Sequence, residues 1–284
     1  MLDLPASATL ADLRADIDRI DAELHELLIK RGEIIDRLIA IKGGTGSAFR
    51  PEREAEMMRH LVSRHRGILP LDTVESVWRI IISTFTFVQA NYSVHADVSA
   101  GDAPMRDCCR FHFGFTVPYV PHHGTAAVIA AVAAAKGDLG LVAVSGGGGD
   151  WWSALLPPTA PKIIARLPFV ERPDHPAGLP LFVIAKPLSE AASRDVVLYV
   201  VNASAAPHAA ASAALATEGI DIIDQAKAGG GVSMLIAAPG TLDAVVLRAA
   251  LGKTGVEANV IGEIGSHAAR FDLGTKTVET GAAR

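Results

Sequence analysis

Cysteine is almost absent from this chain of 284 residues, which carries only Cys108 and Cys109. Two adjacent cysteines are poorly placed to bridge each other, so the sequence excludes a fold held together by disulfides. So little cysteine is typical of proteins from a reducing compartment, and we expect a cytoplasmic location.

Long apolar runs and an excess of positive charge are missing as well. No uninterrupted apolar stretch approaches the ~20 residues that span a membrane, and residues 1–7 lack the layout of a secretory signal. The net charge is −5, so there is no general basic field to attract nucleic acid. We expect neither a membrane nor a nucleic-acid partner. The apolar share of 50% is ample for two or three packed domains at this length.

Residues 1–95 are predicted to form an all-α domain of three helices. Apolar residues recur in steps of three and four over residues 10–42, which is the pattern of one long amphipathic helix. Two further helices are predicted over about 51–65, where a proline stands at the start, and over about 71–90. The first helix is too long to bury its apolar stripe on the other two alone, so a dimer is predicted.

Cations interrupt the apolar stripe of the first helix. Arg31 and Lys42 fall on the stripe itself, where a buried charge is costly unless a group of opposite sign pairs with it. Asp21 is the one nearby acid on a matching position, so we interpret both cations as ligands of an anionic molecule. They share a helix face about 16 Å apart. Arg14 lies about 25 Å from Arg31 along a straight helix, so it would serve a site completed by a second subunit.

The order Leu13-Arg14, Arg31, Lys42, 50–54 (Arg-Pro-Glu-Arg-Glu) and Gln89 resembles the all-helical (type II) chorismate mutases. The likeness covers about residues 8–92 and implies an intertwined homodimer that rearranges chorismate to prephenate, without a cofactor or a metal. In that reaction no nucleophile attacks and no proton moves. The protein has to hold the compact conformer of the substrate and place donors where negative charge develops on the ether oxygen.

The same resemblance assigns roles to individual residues. The catalytic set it implies consists of Lys42 and Gln89, which bond the ether oxygen, and Glu54, which meets the substrate hydroxyl. The substrate-binding set consists of Arg14 from the other subunit, Arg31 on a carboxylate, the Arg53 that precedes the glutamate, and Phe85. At Phe85 the sequence departs from the family, because a serine that assists a carboxylate usually stands there.

Residues 96–190 are predicted to form an α/β region, and residues 91–107 read as a polar linker before it. Segments 136–142 and 181–186 resemble segments of prephenate dehydratase domains. The catalytic Thr-Arg-Phe of that family is absent, with Leu179–Phe182 in its place. The region is also about half the length of a two-lobed domain. We therefore expect a reduced remnant without dehydratase activity.

Residues 191–284 are predicted to form a ferredoxin-like domain, from the order strand-helix-strand-strand-helix-strand. This domain resembles the ACT regulatory domains that follow dehydratases. The turn that contacts an amino acid in that family is replaced by 206–208 (Ala-Pro-His) here, so a role in dimerisation is expected rather than feedback by phenylalanine.

Other interpretations stay open. One is an isochorismate-pyruvate lyase on the same helical fold, and another is a non-catalytic regulatory or binding protein, which Phe85 favours. The glycines at 146–149 resemble a turn more than an anion cradle, because no Gly-Lys-Ser/Thr follows them. The pair His122-His123 lacks the acid or cysteine that would complete a metal site.

Overall fold

A computed structural model describes residues 9–42, 49–146, 148–187 and 193–273. The chain folds as two compact units, residues 1–46 and residues 47–284. The second and third helices therefore belong with the larger unit, although the sequence groups them with the first helix. No helix in the described ranges is long and apolar enough to cross a membrane.

The smaller unit is built on one helix, α1 (Leu10–Lys42), whose bounds confirm the prediction from its apolar period. A reciprocal cap fixes its start. The hydroxyl of Thr9 accepts from the backbone N–H of Asp12 at 3.2 Å, and the Asp12 carboxylate accepts from the N–H of Thr9 at 2.9 Å. This pairing satisfies donors that the first helical turn leaves open.

Helices α2 (Pro51–Arg64) and α3 (Leu71–Gln89) confirm the other two helix predictions to within a residue or so. Pro51 occupies the first turn of α2, where its missing N–H costs nothing. Apolar side chains from both helices, among them Met58 and Val74, pack with Phe169 and Val170 from a segment more than ninety residues later. The two helices are thus attached to the body of the larger unit.

The first half of that body is an α/β region. Its elements are β1 (Val94–Asp97), α4 (Asp102–Phe113), β2 (Tyr119–His122), α5 (Thr125–Ala134), β3 (Leu139–Ala143), a short 3-10 helix (Trp151–Leu155), β4 (Lys162–Leu167), β5 (Val170–Glu171) and β6 (Leu181–Ala185). The prediction of a linker over 91–107 is wrong, because β1 and the start of α4 lie there. Val94 and Ala96 are fully buried in the core that α4 covers.

The second half has the element order predicted for it. It runs β7 (Val196–Ala203), α6 (Ala209–Thr217), β8 (Asp221–Ala228), β9 (Gly231–Pro239), α7 (Ala244–Lys253) and β10 (Ala258–His267), followed by β11 (Phe271–Asp272). The four long strands lie side by side in the order β10-β7-β9-β8, and all neighbours are antiparallel. This is the strand-helix-strand-strand-helix-strand arrangement of ferredoxin-like folds.

One nine-stranded sheet, in the order β2-β1-β3-β6-β4-β10-β7-β9-β8, joins the two halves. The joint is the parallel contact of β4 with β10, where Gly265 pairs with Ile163. Gly265 has φ +144°, and a Cβ there would lie 2.0 Å from the Ile163 carbonyl oxygen. A glycine is therefore required at the joint. The regions predicted as 96–190 and 191–284 share a continuous sheet.

Candidate active site

The arginines of α1 are widely separated. Arg14 is exposed and Arg31 is half-buried. They stand on one uninterrupted helix, which places them about 25 Å apart, so one small molecule cannot contact both. Lys42 is the last residue of α1, and its side chain lies outside the described residues.

The apolar stripe of α1 is uncovered. Leu10 is 64% exposed and Ile41 is 85% exposed, whereas Ile20, Ile35 and Leu38 of the same stripe are half-buried. A row of exposed apolar side chains along one helix is typical of an interaction face. The other exposed members of the stripe are Leu13, Ile17, Leu24 and Leu28, and beside it Leu27, Ile29 and Ile34 are exposed as well.

On α2 the neighbouring residues Arg53 and Glu54 point into different surroundings. Arg53 is exposed, whereas Glu54 is 8% exposed and its Oε2 lies 2.5 Å from Nη1 of Arg79, which is 5% exposed. Burial raises the pKa of Glu54, and the charge and hydrogen bond of Arg79 oppose that rise. The structure therefore brings Glu54 together with a residue that the sequence analysis missed.

A cavity of about 40 Å³ lies beside this ion pair, between α2 and strands β4 and β6. Glu54, Arg79 and Arg166 all line it. That volume holds about one water molecule and excludes a dicarboxylate the size of chorismate. In the single chain, Glu54 therefore faces the α/β body.

Gln89 and Phe85 lie one turn apart on α3, and both are half-buried. The side-chain Nε2 of Gln89 donates to the carbonyl oxygen of Phe85 at 3.0 Å. That bond engages one of the two amide hydrogens of Gln89, so the other is left to donate elsewhere. The two predicted site residues of α3 are thus neighbours, as their spacing of four indicates.

The buried face of α3 is its polar face. Asp72, Glu75, Arg79, Ser83 and Thr86 recur in steps of three and four and are all buried. On the opposite side of the helix Val77, Ile80 and Val88 are exposed. Amphipathic helices usually turn their apolar face inward. The reverse is observed in α3, where each of the first four polar side chains has a bonding partner.

Those partners come from distant parts of the larger unit. Asp72 bonds Arg172 at 3.0 Å, and the Glu75 carboxylate accepts the backbone N–H groups of Phe169 and Val170 at 3.0 and 3.3 Å. The Ser83 hydroxyl donates to the carbonyl of a residue in α4 at 3.0 Å. Buried polar groups that are bonded in this way fix a helix in one orientation. The regular spacing of these residues is visible in the sequence, but by itself a polar stripe predicts an exposed face.

The residues that follow the glycine-rich segment form side-chain hydrogen bonds with the ferredoxin-like half. Trp152 Nε1 donates to the Ser233 hydroxyl at 2.8 Å, and that hydroxyl donates to Asp150 at 2.7 Å. Ser233 belongs to β9, so the bonds tie the 3-10 helix to the ferredoxin-like half. Gly147 lies outside the described residues. These contacts give Trp152 a structural role.

Metal ligands are not grouped in the part of the chain that the structure describes, where no set of three or more His, Cys, Asp or Glu side chains could hold an ion. His122, considered above as half of a His-His pair, is instead bonded to His95. Cys108 and Cys109 are buried thiols, and burial raises the pKa of Cys109 to about 12. Neither thiol is poised as a nucleophile.

Comparison with known proteins identifies the N-terminal region. Residues 13–90 match the family model of chorismate mutase type II. All of the predicted site residues lie within the matched span, which ends one residue beyond α3. The family match thus covers helices from both compact units, α1 from the smaller one and α2 and α3 from the larger one.

Three curated relatives are named bifunctional chorismate mutase/prephenate dehydratase. The protein from Neisseria gonorrhoeae is 37% identical over 70 residues, which are 25% of this chain and 19% of the relative. Those from Aquifex aeolicus and Pseudomonas aeruginosa are 28% and 29% identical over 140 and 141 residues, or 48% of this chain and 38% of each relative. The matches therefore span well under half of the relatives' length.

Two solved structures are similar at low scores. One is titled "GqqA- a novel type of quorum quenching acylases", with a TM-score of 0.41, 17% identity, and coverage of 63% of this chain and 95% of that one. The other is a prephenate dehydratase from Streptococcus mutans, with a TM-score of 0.38, 14% identity, and coverage of 64% and 99%.

Proposed function

We propose that this protein is a chorismate mutase, which rearranges chorismate to prephenate by a [3,3] shift without a cofactor. The observation that carries the proposal is the match of residues 13–90 to chorismate mutase type II. Within that span, Arg14, Arg31, Lys42 and Gln89 stand in the family order. The curated relatives, whose names include chorismate mutase, support the same activity.

The proposed mechanism needs a fixed substrate and donors at the ether oxygen. Arg31 and the partner-derived Arg14 hold the two carboxylates, because a guanidinium fork matches a carboxylate in geometry. Lys42 and the free amide hydrogen of Gln89 meet the ether oxygen, where negative charge grows as the C–O bond breaks. Arg53 contributes to substrate binding. A conformer held ready for reaction avoids the entropy loss that slows the shift in water.

We propose that the active unit is an intertwined homodimer. The uncovered apolar stripe of α1 supports it, since a second copy of the chain offers the same apolar surface in return. The distance of about 25 Å between Arg14 and Arg31 supports it as well, because Arg14 has to act in a neighbouring site if both bind one substrate.

Glu54 and Phe85 are the two residues of the proposed site whose surroundings or side chain differ from what their assigned roles require. Glu54 is assigned to the substrate hydroxyl, and its carboxylate is bonded to Arg79 in the single chain. Substrate binding at Glu54 therefore requires that this carboxylate leave Arg79 when chorismate is bound. Phe85 removes a hydrogen bond that a serine would give, which weakens the hold on one carboxylate.

For the rest of the chain we propose roles other than prephenate dehydration. The α/β region lacks the dehydratase Thr-Arg-Phe, and the ferredoxin-like half lacks the ACT turn that contacts an amino acid. We assign to them a reduced dehydratase-like scaffold and an ACT-like dimerisation element. A cytoplasmic location is part of the same proposal.

Product analysis tests the function directly. Purified protein is incubated with chorismate and, separately, with isochorismate and with prephenate, and the products are separated by chromatography. Formation of prephenate from chorismate supports the mutase. Salicylate and pyruvate from isochorismate would instead indicate a lyase, and no turnover would indicate a binding protein. Phenylpyruvate made from prephenate would overturn the interpretation that the α/β region lacks dehydratase activity.

A further inference from the structure

At the carboxyl ends of β1 and β2 the chain turns to opposite faces of the sheet. The chain leaves β1 for α4, which packs on one face with Val94 and Leu141, and it leaves β2 for α5, which packs on the other face with Val142. The two strands are adjacent and parallel, with Asp97 beside His122 in register. In open α/β sheets such a reversal opens a crevice at the strand ends, and ligands bind there.

Three titratable side chains form a hydrogen-bonded chain along the sheet, from Asp138 just before the amino end of β3 to His122 at the carboxyl end of β2. Nε2 of His95 lies 2.9 Å from Oδ2 of Asp138, and Nδ1 of the same ring lies 2.8 Å from Nε2 of His122. The other carboxylate oxygen of Asp138 accepts the backbone N–H of Ser93 at 3.0 Å. His95 therefore bridges a carboxylate and a second imidazole.

The bonds determine which ring nitrogen carries each proton. An ionised Asp138 only accepts, so Nε2 of His95 must donate to it, and Nδ1 of neutral His95 then carries a lone pair. Nε2 of His122 must donate to that lone pair, which leaves Nδ1 of His122 as an acceptor. Within the described residues this atom has no hydrogen-bond partner, and it is not among the sealed polar atoms. It is open to solvent.

Burial is the main reason that the neutral form of His122 is favoured. Burial and then the neighbouring His95 lower its pKa from the ordinary 6.5, whereas Asp97 raises it. Asp97 is itself occupied by hydrogen bonds from Gly124, Thr125 and Ser99. Helix α5, which packs on the same face, has no ionisable side chain. The facing groups are therefore His95 and Asp97 from β1 and Asp138 from the turn before β3.

We propose that Asp138, His95 and His122 form a proton-accepting site, in which Nδ1 of His122 activates a water molecule toward a small carbonyl compound at the carboxyl end of β2. His122 is the catalytic residue, and His95 and Asp138 are positioning residues. The site lies outside the span matched to the mutase family, and it does not depend on the proposed function.

The proposed reaction needs only water and the carbonyl compound as reactants. Nδ1 of His122 takes a proton from water while the water oxygen bonds to the carbonyl carbon. The Nε2 proton of His122 moves to Nδ1 of His95, so that the positive charge rests beside the Asp138 carboxylate. With an aryl ester, the bond from the carbonyl carbon to the aryl oxygen then breaks. The acid and the aryl oxide leave, and the extra proton is released to solvent.

Hydrolysis of p-nitrophenyl acetate by the full-length protein tests the site. The variants are His122→Gln and Asp138→Asn, and the matched control is His123→Gln, which removes the adjacent exposed imidazole. We expect wild type and the control to exceed the buffer rate equally, with a rate that rises with pH and levels off near or below 6.5, the ordinary pKa of His122. His122→Gln should fall to the buffer rate, and Asp138→Asn should lose about tenfold or more. Thermal melts establish that each variant is folded.

Nitrogen NMR of histidine-labelled protein is a second measurement, because it shows which ring nitrogen of each histidine carries the proton. The result tests whether His122 is hydrogen-bonded to His95 or behaves as a surface imidazole. We expect Nε2 protonation on both His95 and His122 at pH 7.5. A wild-type rate equal to buffer, or a rate lost in His123→Gln instead, would overturn the proposal. So would an Asp138→Asn rate equal to wild type, because His122 would then act as an ordinary surface imidazole.

Discussion

Replacing Arg79 by methionine tests how the helical region is attached to the α/β body. The change keeps much of the side-chain volume and leaves the Glu54 carboxylate buried without its cation. Removing one partner of a buried ion pair typically costs 3–5 kcal/mol, so we expect the free energy of unfolding to fall by about 4 kcal/mol. Urea denaturation of the full chain, followed by circular dichroism, measures it.

A matched control comes from an exposed pair in the same unit. Arg59 on α2 lies 3.3 Å from Asp195, and both side chains are more than 40% exposed. Arg59→Met should cost about 1 kcal/mol or less, because water screens an exposed pair. The double variant Glu54→Gln/Arg79→Met should recover part of the loss, since no charge is then left buried.

The loss of stability in Arg79→Met should depend on pH. Burial already raises the pKa of Glu54 above its ordinary 4.5, and removal of Arg79 raises it further. The folded state then binds a proton more tightly than the unfolded state, so the stability deficit of Arg79→Met should shrink as the pH falls from 7 toward 4.5. A loss below about 1 kcal/mol, or a deficit that grows in acid, would refute the buried pair.

Three further predictions concern the dimer, the pocket and the sheet. Arg14→Ala and Arg31→Ala should each be nearly inactive. Mixing the two variants under subunit exchange should restore activity toward about a quarter of wild type, because about half of the dimers are mixed and each mixed dimer has one whole site. No recovery after proven exchange would contradict the intertwined dimer. Phe85→Ser should lower KM for chorismate by about tenfold, since a hydroxyl bonded to a carboxylate contributes about 1.5 kcal/mol, and an unchanged or higher KM in steady-state assays would remove Phe85 from the pocket. Gly265→Ala should lower the melting temperature strongly, because its Cβ would lie 2.0 Å from the Ile163 carbonyl oxygen, and a wild-type melting curve would contradict the joint between β4 and β10.

Elements with a long or complete apolar period were predicted well. Helix α1 was predicted to the residue, because 33 residues give many repeats of its stripe. The fully apolar strand β6 gives a similarly clear signal, since its five side chains are all buried on the two faces of the sheet. Strand β1 was missed because it has four residues, two of which are His95 and Asp97, and so has too few apolar positions to show a period.

The contacts of α3 and Glu54 could not be predicted from local sequence. The polar face of α3 is buried because residues about a hundred positions later, at 169–172, supply the N–H groups and the guanidinium that bond it. Nothing near Glu54 in the sequence identifies Arg79 as its partner. Similarly, His95, His122 and Asp138 come together only because β1 lies between β2 and β3 in the sheet.

The turnover of chorismate by wild type and by Lys42→Ala tests the central claim most directly. A fixed cation at the breaking ether oxygen is typically worth about 3 kcal/mol or more, so the variant should lose at least a hundredfold, roughly, in kcat. Loss of chorismate absorbance, with prephenate confirmed as the product, measures both proteins under the same conditions. The account predicts an active wild type and a nearly inactive Lys42→Ala. An inert wild type, or a variant with near-normal turnover, would contradict it.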